Sequence, residues 1–277
     1  MTDETAKQLQ LLVPTSPMRV APDHNAECSN ECLYGERFVV APLSVQTTPN
    51  TTESAHESYA NEQLSQWVRV IAQRDSYTGY VEKSHLQAMD KDSILPTHWV
   101  CARSTLVFSE PSIKSRVLNR LPFLSNITSH DLVKSPFRAL STGGFVWHDH
   151  LIATNHTLNV SALHLARTHF LGAPYLWGGC TPAGVDCSGL IQALARAQGI
   201  DIPRDSCDQE KALNNNVAVG KLLAEDIVYW PGHTGILVDP DTLLHATAHS
   251  LDCVIEPLDK VVSRAGSISS IKRLFTS

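Results

Sequence analysis

The chain has 277 residues, a formal net charge of −6 at pH 7, 43% hydrophobic residues and 18% charged ones. That length admits one large domain or two to three small ones, and the acidic balance gives no electrostatic case for nucleic acid or an anionic membrane surface as partner. No apolar run approaches the roughly 18 residues of a spanning helix, and the opening Met-Thr-Asp-Glu-Thr-Ala-Lys lacks the basic and apolar stretches of a secretory leader; the chain therefore reads as cytoplasmic, or as a processed or unconventionally exported form.

From Met18 to about Leu86 the sequence reads as short β pieces, among them Arg37-Phe-Val-Val-Ala, Gln66-Trp-Val-Arg-Val-Ile and Thr78-Gly-Tyr-Val. They are rich in β-branched and aromatic residues and bounded by turn formers. A polar Thr/Asn/Ser/Glu stretch, Gln46 to Ser65, interrupts them and reads as a long exposed loop. A second set follows: Trp99-Val-Cys-Ala, Ser104 to Phe108 with Glu110-Pro111 after it, Arg116-Val-Leu, and Gly144-Phe-Val-Trp147. Trp67-Val-Arg-Val, a turn, then Tyr77-Thr-Gly-Tyr-Val resembles the close of a bacterial SH3-like barrel. The likeness implies two small all-β modules, residues 1–90 and 91–152; one larger irregular β domain is the alternative. A third domain, 153–277, is expected to open with a helix over Val160 to Phe170, with Leu163, Leu165 and His169 facing inward.

The third domain carries the chemistry. Tyr175-Leu-Trp-Gly-Gly-Cys-Thr-Pro-Ala-Gly-Val-Asp186-Cys187-Ser188-Gly189-Leu190 is a Gly/Pro-rich loop running into a helix. Its apolar positions Leu190, Ile191, Leu194 and Ala195 suit one buried face, and Gly199 marks its end. Cys187 falls in the first turn, where free N–H groups and the helix dipole are expected to lower the thiol pKa. Downstream, Asp226 to Asp239 reads as two strands broken at Pro231-Gly232, and Thr242 to Ala246 as a third. His233 opens one strand and His245 lies in the next. A cysteine, a histidine base and a polar group orienting that base form the logic of acyl-transfer catalysis. His249 is the competitor for the third place.

These pieces, with Pro203-Arg-Asp-Ser206 and in this order, resemble the NlpC-type cysteine peptidases, bacterial cell-wall γ-D-glutamyl endopeptidases with a papain-like core. The resemblance covers about Leu158 to Leu274. It implies an α+β chain whose papain-like catalytic domain follows two SH3-like barrels, with Cys187 as nucleophile, His233 as base and His245 as orienting residue. It places Tyr175 beside the attacked carbonyl. In the two-barrel subgroup the substrate is a murein peptide with a free N-terminal L-Ala, cut between γ-D-Glu and the diamino acid. Asp205 and Ser206 then match the amine-binding motif, with Ser188, Trp177, Tyr77 and Glu36 as further contacts. The pattern implies no metal or other cofactor and does not choose between meso-diaminopimelate and L-lysine.

Cys180 departs from the motif, where a polar or basic residue is expected. Cys28 and Cys32 lack a second Cys/His pair at zinc spacing and read as incidental. The same Cys–His core also suits an amidase or less gated endopeptidase on intact wall, and a non-catalytic wall-binding protein is the remaining alternative.

Overall fold

The computed structural model describes residues 7–42, 66–90, 93–130, 136–218 and 220–275. The polar stretch from Gln46 to Ser65 lies outside them. Seven antiparallel strands form the first sheet: β1 (Gln8–Leu11), β2 (Thr15–Arg19), β3 (Cys28–Leu33), β4 (Arg37–Val40), β5 (Trp67–Ala72), β6 (Thr78–Glu82) and β7 (Leu86–Ala88), in the order β3-β2-β6-β5-β4-β1-β7. Alternation drives them. In β2, Ser16 and Met18 turn inward, and in β6, Gly79 and Val81 do so. Leu11, Met18, Phe38, Val70 and Val81 make the module's own core.

The second all-β region contributes a three-stranded sheet, with β8 (His98–Val100) between β11 (Asn126–Ile127) and β15 (Leu151–Ala153). It also contributes a five-stranded sheet of β9 (Ser104–Phe108), β10 (Val117–Pro122), β12 (Ser129–His130), β13 (Phe137–Leu140) and β14 (Phe145–Trp147). Val100, Val107, Leu121, Ile127 and Val146 pack between them. Tyr34 of the first module joins this core, and its carbonyl accepts from the Asn126 N–H at 2.8 Å.

The C-terminal region is α+β. Its first helix starts two residues later than the sequence suggests: Ser161 caps it by accepting from the His164 N–H, and α1 (Ala162–Leu165) continues as a π turn over Ala166–Phe170. Leu165 is buried, whereas Leu163 and His169 are only half-buried. A short hairpin, β16 (Cys180–Thr181) with β17 (Gly184–Val185), leads into α2 (Cys187–Ala197), followed by α3 (Ser206–Ala212). Gly199, at φ +73°, ends α2 as expected. The second five-stranded sheet runs β21 (Asp252–Pro257), β20 (Thr242–Thr247), β19 (His233–Asp239), β18 (Ile227–Trp230), β22 (Ser270–Lys272), with α4 (Leu258–Ala265) after β21.

Helix α2 buries nearly its whole surface, because three regions share one core there. Leu190, Ile191 and Leu194 pack with Ile236 and Leu244 of the sheet, Leu33 of the first module, and Trp99, Phe123 and Leu124 of the second. Each fully buried Leu or Ile contributes about 1.5–3 kcal/mol relative to exposure, so the position of α2 is fixed by both β modules. No helix among the described residues is long and apolar enough to cross a membrane.

Candidate active site

Cys187 is the first residue of α2, and Asp186 is its N-cap. Asp186 Oδ1 accepts from the Gly189 N–H at 2.7 Å, and Oδ2 accepts from the Gly178 N–H at 2.9 Å. The cap thus ties the helix start to the Trp-Gly-Gly loop. Arg204 reaches Asp186 with both terminal nitrogens, at 3.0 and 2.6 Å, and all of these groups are buried. The Arg204 Nε donates to Asn30 of β3 at 2.9 Å, so the first module takes part in holding the cap. Gly189 is required sterically: a Cβ there would stand 2.3 Å from the Gly179 carbonyl oxygen.

The Cys187 side chain is only 6% exposed. The backbone N–H groups of Thr234 and Ser188 lie near enough to its sulfur to favour the thiolate. The first of these places it against the start of β19, next to His233. Burial, then the Asp186 carboxylate, push the thiol up to about 11, against the smaller lowering by those two N–H groups and Arg204. Helix-terminal N–H groups favour a lower value, contrary to the outcome; burial outweighs them, because a thiolate loses more in desolvation than one turn's dipole returns.

His233 and His245 are brought together by the β19–β20 hairpin. Nε2 of His233 and Nδ1 of His245 are 2.7 Å apart and share a hydrogen bond. Gly235 permits the approach, since a Cβ there would stand 2.8 Å from the His245 Cβ. His245 is completely buried. Burial first, and then His245, drive His233 down to about 4. Burial also lowers His245, opposed by Glu256. The far nitrogen of His245, Nε2, lies 2.8 Å from Glu256 Oε1. Arg264 of α4 in turn donates to both Glu256 oxygens, at 2.5 and 3.3 Å. His249 is exposed in the turn after β20 and takes no part.

Glu256 and Arg264 were not singled out from sequence. A signal existed: the β20–β21 register pairs His245 with Val254 and Leu243 with Glu256, and period-2 alternation puts Val254 and Glu256 on one face. Reading it required the register, which one strand alone does not give.

The other site residues divide into two groups. Tyr77, from the turn before β6, lies 3.3 and 3.4 Å from the two Asp205 carboxylate oxygens and donates its hydroxyl to them. Asp205 precedes α3 without capping it, which leaves its carboxylate free for that contact, and Ser206 is the first residue of α3. Burial, partly offset by Arg204 and the Tyr77 hydroxyl, raises the Asp205 carboxyl. Tyr175 is half-buried in the strand-like segment beside β17. Burial and then Cys187 raise its phenol.

Glu36 does not join Asp205. Its carboxylate is buried, accepts from the Leu33 N–H, and pairs with Arg74 and with Arg196 of α2. Two guanidiniums claim it before any ligand does. The Ser188 hydroxyl is likewise engaged, donating to Asp186 at 3.2 Å and accepting from Arg204 at 2.8 Å. Trp177 is 58% exposed, and its indole N–H donates to Glu27 of the first module at 2.7 Å, so it spans the seam between modules. Cys180 is buried, its thiol donating to the Glu31 carbonyl. All seven cysteines are free thiols.

A buried thiol at a helix start beside a chain of two imidazoles and a carboxylate, on an α+β frame, defines a papain-like cysteine peptidase. The comparisons narrow the class. Residues 172–266 match the NlpC/P60 family, so the C-terminal region carries an NlpC/P60 domain. A dipeptidyl-peptidase 6 from Lysinibacillus sphaericus is 26% identical over 259 residues, covering 86% of this chain and 87% of that protein. A gamma-D-glutamyl-L-lysine dipeptidyl-peptidase from Bacillus subtilis strain 168 is 31% identical over 115 residues, 39% of this chain and 38% of its own length. Among solved structures, an NlpC/P60 family protein from Bacillus cereus ATCC 10987 superposes with a TM-score of 0.74 at 17% identity, covering 96% of this chain and 99% of the other. That last likeness extends the shared fold across the N-terminal sheets as well.

Proposed function

We propose that the protein hydrolyses the bond between γ-D-Glu and the diamino acid, meso-diaminopimelate or L-lysine, in murein peptides that carry a free N-terminal L-Ala. The observation that carries the reading is the Tyr77–Asp205 pair. It is built by two modules and anchored, through the adjoining Arg204, to the cap of the helix that presents Cys187. A half-buried carboxylate whose pKa is raised by burial, and whose nearest guanidinium, Arg204, is already paired with Asp186, is suited to an α-ammonium partner. The names of the Lysinibacillus and Bacillus relatives describe dipeptidyl peptidases, one of them acting at γ-D-glutamyl-L-lysine, which supports the same reading.

Thiol and imidazole both rest neutral. In the proposed cycle, Sγ bonds to the γ-carbonyl carbon as its proton passes to His233. The oxyanion forms beside Tyr175 and the Cys187 backbone N–H. The C–N bond then breaks, and the leaving amine takes the proton from His233. Water then bonds to the thioester carbon as its proton goes to His233; the C–S bond breaks, the γ-D-Glu acid leaves, and His233 returns the proton to Sγ. His245 orients the base; Ser206 lies beside Asp205 as a further acceptor for the ammonium. Regions 1–90 and 91–152 act as SH3-like walls of the cleft ahead of a catalytic domain at 153–277, and the first of them closes it beyond the L-Ala amine.

The test is mass spectrometry of products from L-Ala-γ-D-Glu-meso-diaminopimelate and its N-acetylated analogue. Release of L-Ala-D-Glu from the free peptide alone supports the reading. Equal cleavage of the acetylated peptide removes the amine gate, and digestion of intact sacculi with neither peptide cut removes the substrate assignment.

A further inference from the structure

The two imidazoles are linked in a fixed sense. His233 uses Nε2 toward His245, and His245 uses Nδ1 toward His233, leaving its Nε2 for Glu256. Each neutral ring has one N–H and one lone pair. An ionised carboxylate has no proton to offer, so a hydrogen bond at 2.8 Å requires His245 to donate from Nε2. Its Nδ1 is then a lone pair and accepts from the Nε2–H of His233. The last nitrogen, Nδ1 of His233, is left with its lone pair free, and that is the atom a base must present to the thiol. The opposite pattern sets the His245 Nε2 lone pair against a carboxylate lone pair, which is repulsive.

We propose that Glu256 is a positioning residue for catalysis, setting the tautomers of His245 and, through it, of His233. The inference rests on the assignment of Cys187 and His233 as nucleophile and base. Arg264 keeps Glu256 competent: its two-pronged contact is the first cause that holds the carboxyl below its ordinary range, aided by His245 and opposed by partial burial. When His233 takes the thiol proton, both of its nitrogens carry hydrogen. The positive charge then lies one ring away from a carboxylate that needs no rearrangement to stabilise it.

Other charged or titratable groups acting on the pair are Asp252 and Glu256 on β21 and Arg264 on α4. Of these, only Glu256 touches the Nε2 of His245.

Two measurements test this on the full chain. Two-bond ¹⁵N–¹H NMR of the histidine rings near pH 7 is expected to show His233 and His245 both protonated at Nε2. A His245 protonated at Nδ1 overturns the proposal, and this readout needs neither a variant nor turnover. The second is kinetics of Glu256→Ala and Glu256→Gln. The expected loss for the alanine variant is roughly 10- to 100-fold, smaller than the loss on removing a residue that orients the base directly. It falls on kcat rather than KM and shifts the acidic limb of the pH–rate profile. The glutamine variant, whose amide oxygen still accepts, retains more activity. An alanine variant with wild-type kcat and an unmoved acidic limb overturns the proposal. If that variant does not fold, the ring tautomers decide. If the wild-type protein cleaves no murein peptide, the substrate reading fails while the tautomer result stands.

Discussion

Two buried polar assemblies meet at the first turn of α2, and they treat charge in opposite ways. On one side are guanidinium–carboxylate pairs: Arg204 with Asp186 inside the C-terminal region, Arg74 with Glu36 and Asp75 inside the first module, and Arg196 of α2 with Glu36 across the boundary between them. Gln192 of α2 adds a bond to Asp75 at 2.9 Å, and Arg196 one to Asn126 of the second module at 3.2 Å. On the other side, Cys187, His233 and His245 are held toward their neutral forms by burial. A paired buried ion is rigid and costly to disturb, which suits holding three modules around one helix. The proposed cycle moves protons on and off His233, which needs groups that accept and release them without breaking such a pair. The molecule places the two kinds of group within a few residues of each other, at Asp186 and Cys187.

The comparison makes graded predictions. Cys187→Ala removes the proposed nucleophile and should lower kcat on the order of 10⁵-fold or more while leaving the melting temperature close to wild type; substantial residual turnover would place the chemistry elsewhere. Arg204→Met belongs to the holding side. It leaves Asp186 buried without its counter-ion, with an expected loss of roughly 3–5 kcal/mol in unfolding free energy, read as a lower urea midpoint. A loss below about 1 kcal/mol would mean that the cap does not depend on the ion pair. Asp205→Asn removes a charged partner worth about 1.5–3 kcal/mol. The preference for a free over an acetylated N-terminus, measured as a kcat/KM ratio, should then fall about 10- to 100-fold. Tyr77→Phe deletes one hydrogen bond, about 1 kcal/mol, and should raise KM about fivefold with kcat nearly unchanged.

Acidification acts on stability rather than on turnover. The folded pKa of His233 is lowered from 6.5 to about 4, by burial first. Between those values the unfolded chain takes up a proton that the folded chain refuses, so stability falls as pH drops from 6.5 towards 4. His233→Asn should flatten the fall in melting temperature over that window relative to wild type. An identical slope in the two proteins would mean that His233 is not buried as a neutral ring.

Much of the candidate site's geometry was legible because its signals are local. Asp186-Cys187 before an apolar helical face, and two histidines on strands joined by Asp239-Pro240-Asp241, are short-range patterns whose geometry follows from one helix start and one hairpin. The partners of Glu36 were not legible. Arg74 and Arg196 lie 38 and 160 residues away, and only the packing of α2 against the first module selects them over a ligand. The thiol's pKa escapes the sequence for a related reason. Its position at a helix start is visible in the sequence, but the burial that outweighs it comes from packing across the whole molecule. Glu256 required a strand register, and Asn30 a contact spanning 174 residues.

The measurement closest to the central claim is rapid-quench peptide mapping of the enzyme during turnover of L-Ala-γ-D-Glu-meso-diaminopimelate. The account predicts an L-Ala-γ-D-Glu acyl group on the peptide that contains Cys187, trapped as a thioester and released by hydroxylamine. Hydrolysis at full rate by Cys187→Ala, or an acyl group mapped to any other residue, would contradict it.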